Sequence, residues 1–161
     1  MVKMLFFADK YHLQRYAKPI LGDIYLKLPF GPVPTLTLNT INSMNRKDNS
    51  DFESYKNKLT EYVDLKEKEG QHNNIVFTKK KDFNKNLFSK SEINVLKEVF
   101  EEFKNSTASE VSRRSHKTEE YQNASDNSII SYSSMAGSKM SDYISFWDRE
   151  NREFESILSR G

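Results

Sequence analysis

Residues 5–33 constrain the fold more than any other stretch of this chain. Three of its four prolines lie there, namely Pro19, Pro29 and Pro32, together with two of its five glycines. A proline fixes its own φ, lacks a backbone donor and disfavours helix at the residue before it. A helix that begins before Pro19 must therefore end close to it, and the residues that follow must fold as turns and short extended segments.

The segment before Pro19 has the periodicity of an amphipathic helix. Apolar and aromatic residues recur three and four positions apart between Met4 and Tyr16. This spacing predicts a helix over residues 2–16 with one face that is apolar and partly aromatic.

The segment after Pro19 predicts a strand and a corner. Alternating apolar residues behind a Gly-Asp turn pair predict a half-buried strand over 24–28. Residues 30–34 are Phe-Gly-Pro-Val-Pro, in which Gly31 can adopt positive φ and both prolines exclude helix. We expect a stiff corner there.

The order and spacing of these residues are similar to those of a known family. The chain has L-x-F-A-D-K-x-H-L-x-R-Y (Leu5 to Tyr16), then P-I-x-G-D-x-Y (Pro19 to Tyr25) and G-P-V (Gly31 to Val33). This combination resembles the Panacea, or SocA-like, antitoxin domain, which also occurs in phage-associated GepA-type proteins. The resemblance continues in residues 87–103, His116, Tyr121 and Ala124, and it covers about three quarters of the chain.

The resemblance implies a bacterial or phage antitoxin without enzymatic activity, which neutralises its cognate toxin by direct protein–protein binding. It leaves open a further role as adaptor for a AAA+ protease, and the formation of a homo-oligomer. Occlusion by a preformed surface would be the mechanism, with no cofactor. The predicted contacts lie on the first helix, the corner and the C-terminal helix: Asp9, His12, Arg15, Tyr16, Phe30, Gly31, Pro32, Phe146 and Trp147.

Composition excludes several classes of protein. The 161 residues carry a formal net charge of +2, which argues against a strongly basic nucleic-acid binder. The absence of cysteine excludes disulfides, thiol nucleophiles and Cys-ligated zinc. No apolar run approaches the ~20 residues of a membrane span, so we expect a cytoplasmic protein.

The predicted fold is mainly α with a small antiparallel β element, an α+β domain of five to six helices plus a C-terminal amphipathic helix. We expect the strand over 24–28 to pair with a β-rich run at 75–78. The predicted organisation is an antitoxin-like domain at 1–124, a Ser-rich linker or arm at 125–142, and a terminal helix at 143–161 that packs on the same domain or on a partner.

Three capping-box sequences predict helix starts, at Ser50, Ser89 and Thr107. The first would open a helix through Val63 that ends near Gly70. Residues 35–44 fit either a helix or a strand, because both spacings are present.

A DNA-binding regulator is the first alternative. The helices predicted after Ser89 and Thr107 resemble a helix-turn-helix. Arg113 and Arg114 lie on the second helix, and the run Lys79, Lys80 and Lys81 could form a wing. Neighbouring glutamates and the near-balanced charge argue against this hypothesis.

A metal-dependent enzyme is the second alternative. Asp9 and His12 lie three residues apart on a helix, and Asp23 could join them as a ligand. Asp-x-x-His alone is common, and no HExxH, phosphate-binding loop or nucleophile elbow is present. The favoured interpretation is that Asp9 and His12 either hydrogen-bond across the helix surface or fix the turn at residues 22–23, so no metal site is predicted.

Overall fold

The computed structural model describes residues 2–45, 53–67 and 75–146. Helices dominate these residues and small antiparallel sheets accompany them, which confirms the predicted α+β class. In chain order the elements are α1 (Val2–Tyr16), β1 (Tyr25–Leu28), β2 (Gly31–Pro34), α2 (Thr35–Asn45), α3 (Glu53–Thr60), β3 (Val63–Glu67), β4 (Ile75–Lys79), a 3₁₀ turn (Lys85–Leu87), α4 (Lys90–Phe103), α5 (Ala108–His116), α6 (Glu119–Asn123), β5 (Ile129–Ile130), α7 (Tyr132–Ala136) and α8 (138–146).

The chain divides into two compact units. The first combines residues 1–35 with 89–161, and the second consists of 36–88. This division differs from the predicted boundaries, because the first unit is built from two separate parts of the chain.

In the first unit, α1 begins and ends where its periodicity predicts. Phe6, Phe7 and Leu13 on its inner face are buried, and α1 packs against α4, α5, α7 and β2. The Phe7 ring lies 4.7 Å from that of Phe103 on α4. The predicted first helix is therefore the centre of the core.

The sheet of the first unit has the order β2-β1-β5, so the predicted pairing of 24–28 with 75–78 is wrong. The corner predicted at 30–34 is a hairpin, in which Leu28 lies opposite Gly31 and Tyr25 opposite Pro34. Only alternate residues of an antiparallel strand direct their N–H to the neighbour, so Pro32 and Pro34, two apart on an edge strand, are both tolerated.

Residues 125–142, predicted as a linker or arm, contribute Ile130, Met135 and Ala136 to the buried core. Ile129–Ile130 pairs with β1, and Met135 is fully buried beside α1 in the same apolar cluster. Ser131 caps α7 by accepting a hydrogen bond from the backbone N–H of Ser134. A few well-spaced apolar residues are thus enough to order a Ser-rich segment. The boundaries at 124 and 143 stay predictions.

In the second unit, β3 and β4 form an antiparallel pair with Val63 opposite Lys79. The predicted strand at 75–78 is therefore present, but its partner is a segment that helical periodicity had assigned to α3. That helix ends at Thr60, whereas Ser50 and Gly70, its predicted limits, lie outside the described residues. Residues 35–45 are helical.

The two other capping boxes are confirmed. Ser89 accepts from the N–H of Glu92, whose carboxylate accepts from the N–H of Ser89. Thr107 and Glu110 make the same reciprocal pair at the start of α5. These contacts fix the start of both helices, and with it the position of the basic residues on α5.

Candidate partner-binding surface

Asp9 organises the turn after α1 from inside the protein. Its Oδ1 accepts hydrogen bonds from the N–H groups of Ile20 and Leu21 at 2.7 and 2.8 Å. Its Oδ2 accepts one from the Tyr25 hydroxyl at 2.9 Å. Burial raises the pKa of Asp9, while these hydrogen bonds act in the opposite direction. Asp9 is fully buried and therefore not available to a partner protein.

His12 is held in a similar way. Its Nδ1 lies 2.6 Å from the carbonyl oxygen of Lys18 and its Nε2 lies 3.1 Å from Oγ of Ser91. Because a carbonyl only accepts, Nδ1 is the donor to Lys18, and both ring nitrogens have a partner within the chain. Asp23 is also buried, at 3% exposure. The predicted local role of Asp9 and His12 fits this geometry better than a metal site or a partner contact.

Within residues 2–45, 53–67 and 75–146, no group of three or more His, Asp or Glu side chains is arranged to hold a metal ion. No helix among these residues is long and apolar enough to cross a membrane.

Arg15 and Tyr16 reach the surface at the end of α1. Arg15 donates two hydrogen bonds to the carboxylate of Glu98, at 2.5 and 2.7 Å. Tyr16 is half exposed, and its ring lies 4.7 Å from that of His12. Arg15 is thus already paired within the chain, whereas Tyr16 offers an accessible aromatic edge.

The hairpin tip presents the most exposed large apolar side chain of the described residues, Phe30, at 80% exposure. Gly31 beside it is buried with φ +110°, and a Cβ there would lie 2.6 Å from Oγ of Ser115. The Ser112 hydroxyl donates to the Phe30 carbonyl at 2.8 Å. Gly31 and the buried Pro32 therefore shape the tip and seat it on α5, while Phe30 projects from it.

Arg113 and Arg114 are adjacent on α5 but differ in environment. Arg114 forms an ion pair with Glu102 and lies over the ring of Phe103. Arg113 is exposed and forms no ion pair with any described residue. Only one of the two arginines is therefore available to a ligand.

The three lysines predicted as a wing are each neutralised. Lys79 pairs with Asp82, Lys80 with Asp64 and Lys81 with Glu61. Lys81 also lies over the ring of Tyr62. The predicted basic wing is thus a set of lysine–carboxylate pairs.

Of the two predicted contacts in the C-terminal segment, Phe146 on α8 is 46% exposed. Trp147 lies outside the described residues, as does the rest of the predicted helix to residue 161. Ile144, two residues before Phe146, is buried in the core of the first unit. This packing joins α8 to the unit that carries the hairpin tip.

An open pocket of about 650 Å³ lies between the hairpin tip and α5. Phe30 contributes its apolar rim, and Lys3, Arg113, His116 and Lys117 contribute basic groups. The sequence pattern singles out Phe30 and the basic residues after Thr107, including Arg113 and Lys117, but not Lys3. The sequence does not indicate Lys3, because only the folded hairpin tip brings the first turn of α1 next to α5.

Comparison with known proteins gives one family. Residues 1–122 match the family model described as antitoxin SocA-like, Panacea domain. The searches of curated proteins and of solved structures returned no match. The matched range contains α1, the hairpin and α5, which together build the pocket.

Proposed function

Because the chain belongs to the SocA-like antitoxin family with a Panacea domain, we propose that it neutralises a partner toxin by direct protein–protein binding. The bound antitoxin covers the active site of the toxin or a region that the toxin needs for activity. This mechanism requires a surface formed before binding and no covalent chemistry by this chain.

The observation that carries the proposal is the exposed Phe30 on a rigid support. An exposed aromatic side chain on a fixed backbone loses little conformational freedom when a partner covers it. Aromatic residues are also enriched among the side chains that dominate binding energy at protein interfaces. Tyr16 and Phe146 on the same unit are further proposed contacts.

Co-expression tests the proposal. The product of the neighbouring gene should arrest growth alone and be harmless together with this chain. Phe30→Ser should weaken the purified complex about tenfold or more, as expected for a central aromatic contact. Phe100→Ser is the matched control, because Phe100 is also exposed, at 55%, but lies on α4 away from the tip. A harmless neighbour, or equal losses in both variants, would contradict the proposal.

The DNA-binding alternative loses most of its support in the structure. Of its five predicted cations, Lys79, Lys80, Lys81 and Arg114 each face a carboxylate. A duplex would have to displace these pairs before its phosphates could be bound. Protein binding therefore remains the proposed function.

The family resemblance extends the proposal to delivery of the bound toxin to a AAA+ protease. A toxin half-life that is short in the presence of this chain, and long in a strain without the protease, is the expected result. Equal half-lives in both strains would exclude the adaptor role and leave neutralisation by binding untouched.

A further inference from the structure

We propose that the pocket between the hairpin tip and α5 binds an acidic segment of the partner protein, with carboxylates on its basic groups and an apolar side chain against Phe30. The identity of the partner as a toxin rests on the proposed function. The chemistry of the pocket rests on the residues that line it.

The positive charge of the pocket is not balanced by carboxylates among its lining residues. Lys3, Arg113 and Lys117 line the pocket, and none of them forms an ion pair with a described residue. Among the described residues, no carboxylate lines the pocket. By contrast, Arg15 and Arg114 are each paired with a glutamate, so the pocket differs from their surroundings in gathering three cations without a carboxylate among its lining residues.

Lys3 is the basic residue that α1 contributes to the pocket. It is partly buried between the tip and α5, and its pKa is lowered because burial disfavours the charged ammonium. Its Cε lies 2.9 Å from the position of a Cβ added at Gly31. An anion in the pocket would restore part of the solvation that this ammonium has lost.

The pocket combines basic side chains with an aromatic side chain at its rim. Phe30 projects beside the cations, and Ser112, which faces the pocket, already donates its hydroxyl to the Phe30 carbonyl. A segment with carboxylates and one large apolar residue satisfies both the cations and the phenyl ring. A pocket of about 650 Å³ has room for several side chains.

The surroundings favour a polypeptide over a nucleic acid. A duplex needs cations along a track that follows its phosphates. Here exposed Glu110 and Glu119 flank the basic residues of α5, and the next arginine, Arg114, is paired with Glu102. Carboxylates therefore border the basic residues of α5, which suits a short acidic segment better than a long duplex.

A direct binding assay tests the pocket without any toxin. The full-length protein is titrated into a fluorescein-labelled peptide of alternating Glu and Phe residues, and anisotropy is measured at about 150 mM salt. A Lys/Phe peptide and a duplex DNA serve as the other probes. The variant is Arg113→Glu/Lys117→Glu. Its matched control is Lys97→Glu/Lys139→Glu, which changes two exposed lysines that do not line the pocket.

The acidic peptide should bind the native chain, and the pocket variant should weaken this binding about tenfold or more, while the control stays within about threefold. Thermal melts confirm that both variants are folded. No acidic-peptide binding, equal losses in both variants, or duplex DNA binding more tightly than the peptide through the same residues would each overturn the inference.

The same variants in a complex with the neighbouring gene product separate the two proposals. A complex that Arg113→Glu/Lys117→Glu leaves unchanged would overturn the pocket inference while the antitoxin function stands. A neighbour that does not bind the native chain would overturn the function, and the peptide titration would still decide the pocket.

Discussion

Replacing Asp9 by alanine should destabilise the fold strongly, although Asp9 lies far from the proposed contact at Phe30. The change leaves the partly buried N–H groups of Ile20 and Leu21 without the acceptor that now lies 2.7 and 2.8 Å away. The Tyr25 hydroxyl retains a partner, since it also donates to the Leu5 carbonyl at 3.2 Å.

The magnitude follows from these contacts. Each orphaned buried donor costs about 1–3 kcal/mol, which gives about 2–6 kcal/mol for the two N–H groups. Burial of the Asp9 carboxyl group, which raises its pKa, is itself unfavourable. Removing the group removes that penalty and offsets part of the cost. We expect the free energy of unfolding to fall by about 2–4 kcal/mol, a large part of a typical total of about 5–15 kcal/mol.

Asp9→Asn is the matched control. Its amide oxygen can accept from the same two N–H groups, and its NH₂ can donate to the Tyr25 oxygen while that hydroxyl donates to Leu5. The loss should therefore stay within about 1.5 kcal/mol. Urea unfolding followed by circular dichroism measures both variants. An alanine variant within about 1 kcal/mol of the native chain, or an asparagine variant as unstable as alanine, would refute this account of Asp9.

Three further predictions concern stability. Gly31→Ala should lower the free energy of unfolding by about 2–4 kcal/mol, because the residue has φ +110° and its new Cβ would lie 2.6 Å from Oγ of Ser115. Gly22→Ala is the control, since Gly22 has φ +71° and nothing within 4 Å of its Cβ position, and it should cost about 1 kcal/mol. Equal shifts of the melting temperature in the two variants would contradict the role of the close approach at Gly31. Ser89→Ala should cost about 1 kcal/mol through loss of the cap of α4, and an unchanged urea midpoint would contradict it. Because burial raises the pKa of Asp9 in the folded protein, protonation of Asp9 favours the folded state over the unfolded chain. This contribution to stability is fully present below the pKa that Asp9 has in the unfolded chain, and it is lost as pH rises through the raised pKa of the folded state. Asp9→Asn should therefore gain stability relative to the native chain as pH increases across that window, and a constant difference in urea midpoint would contradict it.

The sequence predicts those parts of the fold that local chemistry determines. The helix over 2–16 follows from its apolar spacing and from Pro19, and the starts of α4 and α5 follow from Ser89 and Thr107. In each case the signal lies within a few residues of the element that it defines.

Strand pairing could not be predicted in this way. The run at 75–78 has strand character, but its partner β3 carries helical spacing, and only tertiary pairing decides between the two. Residues 129–130 are a two-residue strand in a Ser-rich context, with too short a pattern to be recognised. The first helix and the strand after it were thus predictable from sequence, whereas the pairing of that strand with β2 and β5 was not.

The residues of the candidate surface also differ in whether the sequence alone can identify them. The exposed aromatic Phe30 and the basic Arg113 stand out in the sequence as residues outside any apolar stripe. The burial of Asp9 and His12 cannot be read from the sequence. An Asp or a His at a helix position gives the same sequence pattern whether its side chain faces solvent or holds a turn. Lys3 joins the pocket only through contacts between distant parts of the chain.

The central position of β1 has a consequence for synthesis of the protein. Its strand neighbour Ile129–Ile130 is translated roughly a hundred residues after Tyr25, so the three-stranded sheet cannot close on a growing chain until that late segment has left the ribosome. Until then the edge of β1 that faces away from β2 has no strand partner. The proposed neutralisation of a toxin should accordingly require the residues around Ile129–Ile130, and a messenger truncated before the codon for Ile129 should yield a chain that gives no protection.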